Sequence, residues 1–219
     1  MSDNRVGILS NSEVERLYDK NAGSYDLLLA GFRWAGLNRW RRNLIARLEL
    51  QPGDHVVDLC AGTGANLPFL LNQVGSHGRV MLVDLSQGML EKGRARATQL
   101  GAGNVDFIKS DVGAFAFPQD IQGVVSTFGL EMPPDYAEII AKAVSALPRG
   151  GRLALLGLKH PESWPRWLID IGILLTKSFG VSREYEEFQP WKPAREYLRE
   201  VHFREFLFGC AYEFVGEKA

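Results

Sequence analysis

Between Val56 and Leu158 short apolar runs rich in β-branched residues alternate with longer stretches whose apolar positions recur at helical spacing. The runs are "HVVDL" (His55 to Leu59), "RVMLVDL" (Arg79 to Leu85), "NVDFIK" (Asn104 to Lys109), "IQGVVSTF" (Ile121 to Phe128) and "GRLALLGL" (Gly151 to Leu158). Near-continuous apolar runs of this length read as strands buried on both faces, as parallel strands are. Helices are predicted over Leu67 to Gln73, over Met89 to Leu100 after a Ser86 cap, and over Tyr136 to Leu147 before "PRGG". Strand and helix alternating at this spacing predict an α/β doubly wound, mostly parallel sheet. The N-terminal 48 residues read as helices, forming a lid or side extension on a core of residues 49–219. "KHPESWPRWLIDIGILLTKSFG" reads as a helix within an insertion at about 159–200, followed by an irregular stretch with a late helix. "VHFREFLFGCAYEFVGEK" predicts a terminal antiparallel hairpin on the sheet edge.

A length of 219 residues suits one domain with a sizeable core. A formal charge of -1 leaves no whole-chain basic field, so nucleic acid is not the expected partner. Two cysteines, Cys60 and Cys210, make no disulfide framework and read as packing residues in a reducing compartment. The four histidines are scattered and no cysteine pair has ligand spacing, so no metal site is expected. The first 20 residues lack the apolar run of a secretory signal, and Trp167 to Leu175 falls far short of the ~20 residues that span a bilayer. A cytoplasmic protein is the expectation.

In an open α/β sheet the loops after the strands converge on one crevice at their carboxyl ends. The loop after the first run is "CAGTGANL", in which Gly62 and Gly64 fit a nucleotide-binding turn while Leu67 stands where a dinucleotide fingerprint wants a third small residue. Asp58 adds a carboxylate close to where a pyrophosphate would sit at the helix start, which opposes an anion there. A cofactor carrying positive charge resolves that conflict. S-adenosylmethionine fits, its ammonium and sulfonium facing carboxylates that include Asp58 and its own carboxylate meeting the amides of Gly62 to Gly64. Asp84 at the end of the second run is placed for the ribose hydroxyls, Asp111 and the Val112 amide for the adenine edge, and Leu85 and Met89 for the adenine faces. The plain alternative is that these aspartates cap loops and helices.

"VVDLCAGTGANL", "VMLVDLSQGML", "VDFIKSDVGAF" and "LPRGGRLALL" together resemble the successive motifs of class I S-adenosylmethionine-dependent methyltransferases, over roughly Val56 to Leu158. The resemblance implies a Rossmann-like fold and the product S-adenosylhomocysteine, and it adds Ala61, Thr63, Asn66, Thr127 and Phe128 to the cofactor-binding residues. The stretch from "LYDKNAGSYDLLLAGFRW" through "GLNRWRR" is similar to the quinone-biosynthesis C-methyltransferases, as is "FGLEMPPD", where Glu131 stands at a position that family fills with a basic residue. Bacterial phosphatidylethanolamine N-methyltransferases are a comparably near resemblance. The same likeness places Tyr18 and Tyr25 in a lid whose aromatic rings close over the cofactor.

Methyl transfer from a sulfonium is an in-line displacement that mainly needs positioning and exclusion of water. A base helps where the acceptor must lose a proton. Glu131 on the loop after the fourth strand is the first candidate, with capping of the next helix as its structural alternative; His160 is the second, and Tyr25 completes the catalytic set. Between Leu27 and Leu48, Arg33, Arg39, Arg41, Arg42 and Arg47 are interleaved with Phe32, Trp34 and Trp40, and the stretch holds no acidic residue. That composition suits peripheral contact with an anionic membrane surface, or else a solvated face. The expected partner is a small apolar or lipid-like methyl acceptor: a quinone precursor, a phospholipid amine or a secondary metabolite. The rival readings are an NAD-dependent oxidoreductase using the same turn and a non-catalytic S-adenosylmethionine-binding protein.

Overall fold

A computed structural model describes residues 36–131, 133–159 and 188–219. In chain order the described elements are α1 (Leu37–Ala46), β1 (His55–Leu59), α2 (Leu67–Val74), β2 (Arg79–Asp84), α3 (Gln87–Gln99), β3 (Val105–Lys109), β4 (Gly123–Thr127), α4 (Tyr136–Ala146), β5 (Arg152–Leu158), α5 (Trp191–Tyr197), β6 (Arg199–Phe206) and β7 (Ala211–Glu217). The strands form one seven-stranded sheet in the order β3-β2-β1-β4-β5-β7-β6. The first five pair in parallel, and β7 and β6 run antiparallel to their neighbours. The doubly wound sheet with its terminal hairpin is therefore observed, and its predicted elements differ from the observed ones by one or two residues at their ends.

Two apolar layers sandwich the sheet because its central strands are apolar on both faces. Val57 and Val124 belong to the layer that α4 closes with Ile139, Ile140 and Ala143. Val56 and Val125 belong to the other, which α1, α2 and α3 close with Leu44, Ile45, Leu67, Leu70 and Leu90. Burial of a large aliphatic side chain is worth about 1.5–3 kcal/mol, so these layers dominate the stability. α1 falls within the expected N-terminal lid, yet Leu44 and Ile45 are wholly buried, so this helix is part of the core. The rest of that lid, the helix expected from Trp164 to Phe179, Tyr18, Tyr25, Arg33 and His160 lie outside the described residues.

Strand direction sets where chemistry can gather. β1, β2, β3, β4 and β5 all deliver their last residues to one edge, and the order reverses between β1 and its neighbours β2 and β4, which opens a crevice there. Leu158 at the end of β5 pairs with Ala211 at the start of β7, and Phe206 at the end of β6 pairs with that same residue. The turn between β6 and β7 thus lies on the carboxyl edge too.

Candidate cofactor and acceptor site

The loop after β1 is the floor of the crevice. Cys60 and Gly62 take positive φ angles of 52° and 55°, and Gly64 one of 69°. Glycine needs no compensation for this, whereas cysteine is strained there. A methyl group built on Gly62 meets nothing within 4 Å, so the space over the turn is open. One built on Gly64 lies 3.5 Å from the Gly93 Cα of α3 and 3.3 Å from Leu82. The close approach of turn to helix that Leu67 does not provide is made by the glycine pair Gly64 and Gly93.

Asp84 ties this floor to the next loop. Its Oδ2 accepts from the Gly62 amide at 2.7 Å and its Oδ1 from the Ser86 amide at 2.9 Å, while the Ser86 hydroxyl caps α3 by accepting from Met89 N. Asp84 and Leu85 stay partly exposed; Met89 is buried. The Gly64 amide donates to Ala61 O. The Gly62 and Gly64 amides, expected to face an anion, are thus both engaged within the protein. Asp111 accepts from Gly113 N at 2.9 Å and is half-buried, with Val112 buried beside it.

Asp58 does not line the crevice, contrary to expectation. It is wholly buried beneath the turn, both its oxygens accepting from Asn66 Nδ2 at 2.9 and 3.1 Å. Burial pushes its carboxyl up to about 7, opposed by the Asn66 hydrogen bond and by the Arg41 guanidinium and reinforced by Asp84. The chain of contacts continues: the Thr127 hydroxyl donates to Asn66 Oδ1 at 3.2 Å and accepts from Arg41 Nε at 3.4 Å. Arg41 also lies over the Phe128 ring, 5.3 Å from its centroid. This arginine, grouped with the membrane-facing ones in the sequence, instead points inward and is almost wholly buried. Its position was legible. Arg41 stands four residues after Leu37 and three before Leu44, on the buried stripe of α1.

Above the turn the loop after β4 crosses close to the loop after β1. Phe128 has a φ of 58°, and a methyl group on Gly129 would sit 2.2 Å from the Cys60 Cβ. Glu131 follows, only 6% exposed. Its Oε1 accepts from the Leu158 amide at 2.9 Å, and its Oε2 is buried with no hydrogen-bond partner among the described residues. Burial pushes the Glu131 carboxyl up to about 7 against its backbone hydrogen bonds. No side-chain cap forms at the start of α4, so the capping alternative for Glu131 fails. Tyr212 of β7 is its neighbour, the phenol pushed up by burial and then by Glu131 and Tyr136.

Cys60 was read as packing, yet it marks the centre of the acidic cluster. Burial pushes its thiol well above the usual range, and Asp84, Glu131, Asp58 and Asp111 all add to the effect. Four carboxyl groups from four different loops and strands are therefore within electrostatic reach of one half-buried residue. No group of His, Cys, Asp and Glu suited to a metal ion occurs among the described residues.

The ubiE/COQ5 methyltransferase family model matches residues 7–166. The chain belongs to this family. A ubiquinone/menaquinone biosynthesis C-methyltransferase UbiE from Marinomonas sp. (strain MWYL1) is 33% identical over 156 residues, covering 68% of this chain and 61% of that protein. A demethylmenaquinone methyltransferase from Listeria monocytogenes serotype 4a (strain HCC23) is 28% identical over 156 residues, covering 71% and 65%. The chain thus spans less than two thirds of the length of these relatives. In fold it is similar to a SAM dependent methyltransferase from Aquifex aeolicus, with a TM-score of 0.60 at 19% identity over 82% of this chain and 89% of that one.

Proposed function

We propose that this protein transfers a methyl group from S-adenosylmethionine to a small apolar acceptor, and that the acceptor is a quinone-type ring precursor. The observation that carries the cofactor reading is the pairing of an open glycine turn at Gly62 with the Asp84 carboxylate bonded to its amide, beside a cluster of acids. An anionic pyrophosphate is repelled by that cluster; a sulfonium and an ammonium are attracted by it. Family membership supports the quinone class, since the related proteins carry that activity in their names. Residues before α1 would serve as the lid of the core, with Tyr18 and Tyr25 over the cofactor.

When bound, the cofactor supplies an electrophilic methyl group on sulfur. Asp84 would hold the ribose hydroxyls, because the Gly62 and Ser86 amides fix its carboxylate while it stays partly exposed. Asp111 and the Val112 amide would take the adenine edge, with Leu85 against a face of the ring. Asn66 and Thr127, locked by Asp58 and Arg41, hold the floor rigid so that donor and acceptor meet in line. Glu131 would accept the proton of a ring hydroxyl at its unpartnered Oε2, raising electron density at the ring carbon that is methylated. A carboxyl resting at about 7 is poised for that transfer near neutrality. His160 and Tyr25 would complete the set.

Calorimetric titration with S-adenosylhomocysteine, S-adenosylmethionine and NAD tests the cofactor. Binding of the first two at micromolar concentrations without NAD is expected; binding of NAD alone overturns the reading in favour of an oxidoreductase. Transfer of labelled methyl into quinone precursors tests the acceptor. Label appearing in phospholipid amines would overturn the quinone assignment, and none in any extract would leave a non-catalytic binding protein.

A further inference from the structure

The β6–β7 turn does something a structural turn has no need to do. Leu207, Phe208 and Gly209 follow one another in the left-handed region, with φ angles of 52°, 56° and 86°. Left-handed turn positions favour asparagine, aspartate or glycine because bulky side chains are strained there. This chain keeps a leucine and a phenylalanine in those places and gains no burial by it, since they are 46% and 86% exposed. Leu158, at the end of the neighbouring β5, is 39% exposed. Strain borne by exposed apolar residues points to a contact outside the fold.

Its surroundings say which contact. The turn stands on the carboxyl edge, next to the crevice: Lys159 N donates to Cys210 O, and the Leu158 amide is the one held by Glu131. Phe206, at the foot of the turn, packs against Trp40 of α1 with ring centroids 4.7 Å apart. The outward face of α1 carries Arg39 and Arg42, both exposed, and the helix has no acidic residue. The acids nearest the turn are matched by cations, Glu205 by Lys159 and Glu213 by Arg204, whose guanidinium also lies over the Phe206 ring. An apolar tip with aromatic support and flanking arginines has the chemistry of a surface that enters the headgroup layer of an anionic bilayer. No described helix is long and apolar enough to cross a membrane, which leaves surface contact as the mode.

We infer that Leu207 and Phe208 insert into an anionic lipid surface, with Arg39 and Arg42 against its headgroups, so that the crevice opens onto the bilayer. The inference rests on the fold and not on the methyl-transfer reading, and vesicle flotation tests it without a methyl acceptor. Flotation of the full chain with phosphatidylglycerol-containing vesicles should exceed flotation with phosphatidylcholine alone and should weaken with salt. Leu207→Ser with Phe208→Ser should lower vesicle affinity about tenfold or more. Arg39→Gln and Arg42→Gln should each lower it roughly fivefold, and only on anionic vesicles. Thermal melting and S-adenosylhomocysteine affinity of each variant, expected to be unchanged, separate loss of docking from loss of folding. Absence of flotation on every vesicle, or flotation that Leu207→Ser with Phe208→Ser leaves intact, overturns the inference. So does a dimer in sedimentation equilibrium that the same variant dissolves, since the tip then serves a second copy of the chain.

Discussion

The two edges of the sheet are built on opposite terms. At the amino edge the charges are paired: Arg152 meets Glu217 and Glu49 and donates to Arg47 O, His55 faces Asp120, and Lys218 Nζ donates to Ser145 O and Leu147 O. At the carboxyl edge Asp58 and Glu131 are buried without a matching cation in direct contact among the described residues, and one oxygen of Glu131 has no partner among them. Backbone strain divides the same way. Of the five described non-glycine residues with positive φ, Cys60, Phe128, Leu207 and Phe208 stand at the carboxyl edge and only Glu49 lies elsewhere. One edge spends its interactions on stability, and the other holds desolvated charge and strain that a ligand can relieve.

The largest effect should come from the group that contrasts most with the amino edge. Glu131→Gln keeps shape and neutral charge but cannot accept a proton, so methyl transfer should fall about 10²–10⁴-fold with S-adenosylhomocysteine affinity nearly unchanged. A kcat within twofold of the parent would remove Glu131 from the chemistry. Next, Gly129→Ala forces a Cβ into Cys60 and should cost about 3 kcal/mol in urea unfolding, with loss of cofactor binding. Parental stability would mean that the two loops part easily.

The buried acids also predict a pH dependence. Asp58 and Glu131 rest at about 7 in the fold, well above their values in the unfolded chain. The folded protein therefore holds protons that the unfolded chain releases between about pH 4 and 7, and stability must fall as pH rises through that window. Each group contributes on the order of 3 kcal/mol, fully present below about pH 4 and lost above about pH 7. Urea unfolding at pH 5 and pH 8 measures it, and Glu131→Gln should flatten the slope. A rise in stability across that range would contradict the burial of these carboxyls in solution. Asp84→Ala should weaken S-adenosylhomocysteine binding by about 1–3 kcal/mol, the cost of leaving hydrogen-bonding groups without their partner. The smallest change belongs to the amino edge: Arg152→Met should cost about 1 kcal/mol of stability and leave cofactor affinity where it was. A loss of affinity there would mean that the two edges are coupled.

Much of this was written in one dimension. Period and length of the apolar runs specify the five parallel strands and the hairpin, because a strand buried on both faces must be apolar throughout and a helix must be apolar on one stripe. That Gly62, Asp84 and Asp111 share the carboxyl edge was legible for the same reason, since parallel strands in an open sheet end together. Arg41 was legible in its spacing from Leu37 and Leu44. The roles of Asp58, Cys60 and the Gly64–Gly93 approach were not, because burial and proximity arise from packing between segments distant in the chain.

By itself, then, the sequence determined which elements form, which edge collects the polar loops, and that a cationic cofactor suits the turn. Tertiary structure alone decided which acids stay partly exposed and which lie sealed beneath the turn, and that Glu131 ends up near Tyr212. It also decided that exposed apolar residues, Leu207 and Phe208 among them, crown the same edge. The reason is physical: pattern reports what a residue prefers to bury, but desolvation and unmet hydrogen bonds depend on the neighbours that only folding supplies.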